Sequence, residues 1–367
     1  MKRNARIWHP NHGIISELAR GISPGDSNRN VSVSVFELSE AQRDGQSAPV
    51  RTSTRFDATW SVVALSLAGL LLLFRSTAAS ALHLWETSSA YNYGYLIAPI
   101  AAYLIWEERR SLRAVMRRPS VLGLLLTAAF SAVWLLADKL DIDEGRHFAL
   151  VGMVQGLFLS VLGTAVYRKL SFPLNYLWLM VPTGAFLLAP LQWIAHAGAV
   201  LLLQASGIPV FADGLIIEVP QGRFMVETGC AGLNFLLSAF ALSLVYGKLI
   251  YRRLSTRILC VAIALVAAIV ANILRIYLII SLTEWTDQKI GLADDHLLFG
   301  WGFFAIVMLG LMWAGAKVRE ANPAATPRTP DAVRPLAVNV TWSAAIAGLA
   351  LCAAATGPLA AAVIERI

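Results

Sequence analysis

The sequence predicts an all-α polytopic membrane protein of about eight to nine transmembrane helices, with one small extracytoplasmic β-hairpin. Three observations predict it. The 367 residues are 57% hydrophobic and only 14% charged, whereas a soluble domain carries nearer a quarter charged residues. Mean hydropathy is +0.62. The apolar residues also fall in blocks of a length that crosses a bilayer, which takes roughly 20 residues per helix.

Residues 1–56 are rich in Ser, Arg, Asn and Gly and have no sustained apolar period. They read as a disordered cytoplasmic tail. No apolar stretch follows Lys2 and Arg3, so there is no signal-peptide pattern, and the first span itself directs insertion. Apolar blocks follow at 58–80, 91–106, 119–137, 147–167, 171–206, 230–247, 257–283, 297–316 and 336–358. Block 171–206 is longer than one crossing and is broken by Pro173, Pro182 and Pro190. It is expected to be one span followed by a second helix that lies near the outer surface or re-enters the membrane. The resulting division is a tail at 1–56, a transmembrane core at 57–318, a cytoplasmic linker at 319–335 and a C-terminal transmembrane segment at 336–367.

The net charge of +7 is topology information and not a nucleic-acid surface, because the basic residues sit in short loops between apolar blocks. One set of loops holds Arg109, Arg110, Arg113, Arg117 and Arg118, then Arg168 and Lys169, then Lys248, Arg252, Arg253 and Arg257, then Lys317 and Arg319. The alternate loops, 138–146, 207–229 and 284–296, are acidic or nearly neutral. The positive-inside rule places the first set in the cytoplasm and the second outside. Within 207–229, the β-prone runs 216–219 and 223–226 flank Pro220–Gln221–Gly222, a turn signal, so a hairpin is expected there, leading into Cys230.

Three cysteines without a CxxC pair argue against a disulfide framework or a thiolate metal site. No metal or organic cofactor site is recognisable. Cys260 and Cys352 lie inside apolar blocks and read as packing residues. Cys230 differs: it sits in VETGCAGLNFLL, where polar sequence gives way to a span. In ANILRIYLII, Asn272 and Arg275 are three apart and share a helix face, and an arginine inside a span is a candidate functional residue. Snorkelling to the outer interface is the alternative for Arg275, since eighteen residues from Arg257 place it about 27 Å across. His296 opens the span at 297–316, whereas His83, His147 and His196 read as structural.

Cys230, Arg275 and His296 thus fall at the outer ends of three consecutive spans. A thiol attacks as its thiolate, which nearby cations and a helix N-terminus favour. His296 would take the thiol proton and return it to a leaving amine, and Arg275 would stabilise the oxyanion. Glycines 229 and 232 would let a substrate backbone approach. Glu227 would either orient His296 or Arg275 or cap the helix.

ETGCAGLNFLL, ANILRI and DDHLLFGWGFF, in that order on successive spans, resemble the three signature motifs of the exosortase/archaeosortase family. FPLNYLWLMVPTGAFLLAPLQ, SGIPVFADGLIIEVPQG and LWETSSAYNYGYLIAPIAAYLIWEERRSL extend the resemblance over residues 58–318. Asn92-Tyr93-Gly94 stands where many members have Ser-His-Gly, and Cys230-Ala231-Gly232 where many have Cys-Ser-Gly. The resemblance implies a membrane cysteine transpeptidase that uses Cys230, Arg275 and His296, with Glu227, Gly232 and Asn272 in support. It implies exported proteins with a PEP-CTERM-type sorting tail as substrates, and a lipid or surface-polysaccharide acceptor. The expected setting is a bacterial inner membrane with the site on the periplasmic face. A non-enzymatic component of exopolysaccharide assembly or export is the alternative reading.

Overall fold

The computed structural model describes residues 58–112, 115, 117–285, 296–318 and 340–364, with the backbone alone at 110, 296–299 and 340. The expected tail at 1–56 and the linker at 319–335 lie outside the described residues. The helices are α1 (Ala58–Leu73), α2 (Arg75–Thr87), α3 (Gly94–Glu107), α4 (Arg109–Leu112), α5 (Val121–Lys139), α6 (Asp143–Lys169), α7 (Ser171–Tyr176), α8 (Leu188–Ala205), α9 (Leu233–Ile250), α10 (Leu254–Trp285), α11 (His296–Lys317) and α12 (Val340–Ile364). Among the described residues, seven helical segments are long and apolar enough to cross a membrane. An eighth results if α1 and α2, bent by 85° at their junction, count as one span. The fold is the all-α polytopic class that the sequence predicts.

The basic loops meet at one end of the bundle. Lys169 donates to the Ser111 carbonyl at 3.3 Å, Lys248 lies 5.6 Å from the Phe172 ring, and Tyr251 donates to the Gly315 carbonyl at 2.9 Å. The helix dipole favours this arrangement: α6 begins with Asp143 and Glu144 and ends with Arg168 and Lys169.

Around α6, glycines permit backbone contact. A Cβ on Gly123 of α5 would lie 2.2 Å from the Ser160 amide nitrogen, and one on Gly156 would lie 2.4 Å from the Thr127 hydroxyl. Lipid supplies little hydrophobic drive between helices, so close small-residue packing and satisfied polar groups hold them. Ser131 donates to the Ala354 carbonyl at 2.8 Å and accepts from Gly357 N at 2.9 Å, which fastens α12 to α5.

Segment 171–205 departs from expectation. It is two helical stretches, as expected, but the first is short and the second, Ala185–Ala205, is the one long and apolar enough to cross a membrane. Tyr176 bonds the Ala241 carbonyl of α9 at 3.2 Å, Gly184 packs beside Leu233 and Leu237, and Leu191 lies beside Gly232 and Asn272. Ser206 then meets Tyr277 at 2.7 Å. The partners climb steadily along α9 and α10, away from the basic end. The break falls at Val181–Pro182–Thr183–Gly184. Proline disfavours a helical conformation in the residue before it, and Gly184 adopts φ +107°.

The expected hairpin is present and carries a third strand. β1 (Phe211–Asp213), β2 (Ile216–Val219) and β3 (Gly222–Met225) form an antiparallel sheet in that order. Gly214, at φ +61°, turns the chain between β1 and β2. The sheet's inner face packs Ile217, Val219 and Val226 against Ala195, Ala199 and Leu203 of α8 and Ile276 and Ile280 of α10.

Candidate active site

Cys230 does not begin a helix. It ends a single tight turn, Thr228–Cys230, whose amide bonds the Glu227 carbonyl at 2.9 Å, and α9 starts only at Leu233. Gly232, at φ +80°, makes the reversal between turn and helix. This is the left-handed region that a residue with a Cβ rarely adopts.

Asn272 of α10 holds this reversal from below. Its Nδ2 donates to the Cys230 carbonyl at 2.9 Å, and a Cβ at Gly232 would sit 2.5 Å from its Cγ. Asn272 is 2% exposed. Gly232 is therefore filled by Asn272 and offers no approach to a substrate, contrary to the sequence expectation. Gly229 does offer open space: nothing lies within 4 Å of the position its Cβ would take.

Arg275, one helical turn farther along α10, is 3% exposed. Its guanidinium lies 5.5 Å from the Phe235 ring of α9, within reach of a cation–π attraction. Arg275 lies one turn beyond Asn272, the residue whose side chain bonds the Cys230 carbonyl. Burial on the face of α10 that meets α9 rules out snorkelling as the account of this arginine. α10 also continues ten residues past it, to Trp285, so Arg275 lies well below the helix end.

α11 closes on the same guanidinium. A Cβ at Gly300 would lie 2.6 Å from Arg275 Nε, so the glycine admits the arginine. α11 begins at His296, one turn before Gly300. The backbone thus brings His296 to the neighbourhood of Arg275, and its side chain lies outside the described residues. Glu227 is exposed and precedes the turn at Thr228–Cys230, to which its side chain makes no capping hydrogen bond.

The other candidates stand apart. His147 is buried, with Nε2 2.8 Å from the Ser80 hydroxyl. His196 is buried beside Trp193, and His83 is exposed. Cys260 lines an apolar cavity of about 240 Å³ between α9, α10 and α11, toward the basic end, and Cys352 is exposed. Sequence reasoning missed Phe235, Gly300 and Gln192, which donates to the Val226 carbonyl at 3.0 Å and ties the end of β3 to α8. Gly300 was legible in principle, four residues after His296 on one helical face. Phe235 and Gln192 carry no signal apart from the packed structure.

A multi-span helical membrane protein with a half-buried cysteine turn braced by a buried asparagine and arginine defines the class. A model of the transmembrane exosortase family matches residues 85–313, more than half of the chain and the whole stretch from Cys230 to His296. The chain belongs to that family. No curated protein and no solved structure matches it. Helices α1 and α12 fall outside the matched stretch, yet α12 packs directly on α5 and α6 within it.

Proposed function

We propose that this protein is a membrane cysteine transpeptidase. It cleaves the C-terminal sorting tail of exported proteins and transfers them to an acceptor outside the membrane. The observation that carries the reading is the joint burial of Asn272 and Arg275 around the Cys230 turn, with open space beside Gly229.

With the basic end in the cytoplasm, Cys230 lies near the outer boundary of the bilayer. Asn272, beside it, is fifteen residues beyond Arg257, about 22 Å along the helix. In a bacterium with two membranes this is the periplasmic face of the inner membrane. The Cys230 thiolate attacks the scissile carbonyl, and Arg275 balances the negative charge that develops. His296 carries the proton from the thiol to the leaving amine as the C–N bond breaks. The thioester left on Cys230 passes its acyl group to the amine or hydroxyl of a lipid or polysaccharide acceptor. Asn272 acts through the backbone, fixing where the sulfur points.

Co-expression of Cys230→Ala with a tailed substrate tests the assignment by immunoblot. Processing is expected to stop while the variant stays inserted at wild-type level; normal maturation in the variant overturns it. Mass spectrometry of the mature C-terminus then identifies what the acyl group was transferred to.

A further inference from the structure

Strand β3 is an edge strand of the sheet, and it leads straight to the nucleophile. Val226 N donates to the Leu215 carbonyl at 3.0 Å. With the register Ile217 to Phe224 and Val219 to Gly222, antiparallel alternation makes those two the hydrogen-bonded pairs. The N–H groups of Arg223 and Met225 and the Arg223 carbonyl therefore point off the sheet, away from β2, while the Met225 carbonyl accepts from Glu227 N at 3.0 Å. Among the described residues no strand but β2 pairs with β3. The side chains of Arg223 and Met225 share the exposed face, and Arg223 is tied across to Glu218 by an ion pair.

The strand also has a direction. Its hairpin tip is anchored high on α10, where Gln221 N donates to Glu284 at 3.2 Å. Its lower end is anchored at Gln192, near the level of Asn272. Glu284 and Asn272 are twelve residues apart on α10, about 18 Å. β3 thus descends toward the membrane and delivers the chain to Cys230 five residues after Met225.

We propose that the Arg223–Met225 edge of β3 is the docking site for the substrate's cleavage segment, which adds to the sheet as a fourth, parallel strand. This rests on the transpeptidase reading and specifies how that site takes its peptide. A thiolate needs a scissile carbonyl free of helical hydrogen bonds, so the segment must be extended there. An exported protein anchored by a C-terminal tail runs from outside toward the bilayer, as β3 does, and this sets the strands parallel. Backbone pairing supplies the affinity, as in other strand-addition complexes, and an open edge is a template for such pairing.

The sheet provides its own control. On β1 the pairs Phe211 to Glu218 and Asp213 to Ile216 are the hydrogen-bonded ones by the same alternation, so the Ala212 N–H points off the opposite edge. Met225→Pro and Ala212→Pro each remove one outward N–H and spare the ladder. Processing of a tailed substrate is expected to fall at least tenfold in Met225→Pro and less than twofold in Ala212→Pro. Equal effects overturn the proposal.

A second measurement needs no proline and no turnover. Met225→Cys is placed in a chain carrying Cys230→Ala, Cys260→Ser and Cys352→Ser, and single cysteines are walked through the substrate segment before its tail helix. Disulfide yields are expected to alternate with a period of two. A period near 3.6, a flat profile, or a Met225→Cys homodimer in place of substrate adducts overturns strand addition. Because the chain lacks Cys230, this map reads docking alone, whereas normal maturation by Cys230→Ala tests the chemistry separately.

Discussion

Helix α10 runs 32 residues and α6 spans 27 with a break at Gly163, where φ is +79°, and the two use their length in opposite ways. Within its most apolar 18-residue window, α6 buries 78% of its residues and α10 only 22%. α6 is the hub of a scaffold in which α5 and α12 pack through glycine and serine. α10 lies at the rim, yet it carries the two buried polar side chains of the site. Arg275 and Asn272 share the one face that meets the Cys230 turn, and the opposite faces of α10 and α11 present leucine, isoleucine and tryptophan outward. The difference teaches that the candidate site lies at the rim of the bundle and draws its rigidity from local contacts. Asn272 fills the space beside Gly232, and Phe235 and Gly300 enclose Arg275.

That division predicts that site and scaffold substitutions fail in different ways. The largest effect after Cys230→Ala is expected from Arg275→Met. Loss of an oxyanion donor costs about 10²–10³ in rate, whereas replacing a buried charge by an apolar side chain of similar size is often neutral or stabilising. Processing should therefore collapse in a protein whose thermal melt in detergent is unchanged. A parallel fall in both quantities would show Arg275 to be part of the scaffold.

Asn272→Asp ranks next. It keeps the shape of the side chain and removes the donor to the Cys230 carbonyl, a change worth about 1–3 kcal/mol, or roughly 5- to 150-fold in processing. Alkylation of Cys230 by a membrane-impermeant reagent, followed across pH, should change its profile in this variant. An unaltered profile would mean that Asn272 only fills space beneath Gly232.

Gly123→Leu should show the reverse pattern. Its side chain would enter the space of the Ser160 backbone, and overpacking of this kind costs about 1–3 kcal/mol or more. The amount of folded protein should fall while processing per folded molecule stays constant. Cys260→Ala, beside the cavity at the basic end, should change stability by about 0.5 kcal/mol at most and leave processing intact. A loss of activity there would extend the site through the membrane.

The polytopic helical class, the small hairpin before Cys230 and the shared face of Asn272 and Arg275 were legible in the sequence. Each rests on local pattern: apolar runs long enough to span, β-prone runs on either side of a turn signal, and polar residues that do not belong in lipid. What failed was local in a different way. The turn before Gly232 was read as the start of a helix, because a positive φ leaves no mark in an apolar run. In the 171–206 block the span was expected before the break and lies after it, because prolines announce a break and not how long the helix on either side runs.

By itself, then, the sequence determined which segments are apolar enough to span and which residues were out of place in them, since transfer free energies act on each segment separately. Only the tertiary structure decided that Asn272 clasps the Cys230 carbonyl, that Gly300 makes room for Arg275, and that β3 stands at the edge of its sheet. Those outcomes depend on how close three helices and a strand approach. Packing across elements sets that distance, and no single segment encodes it.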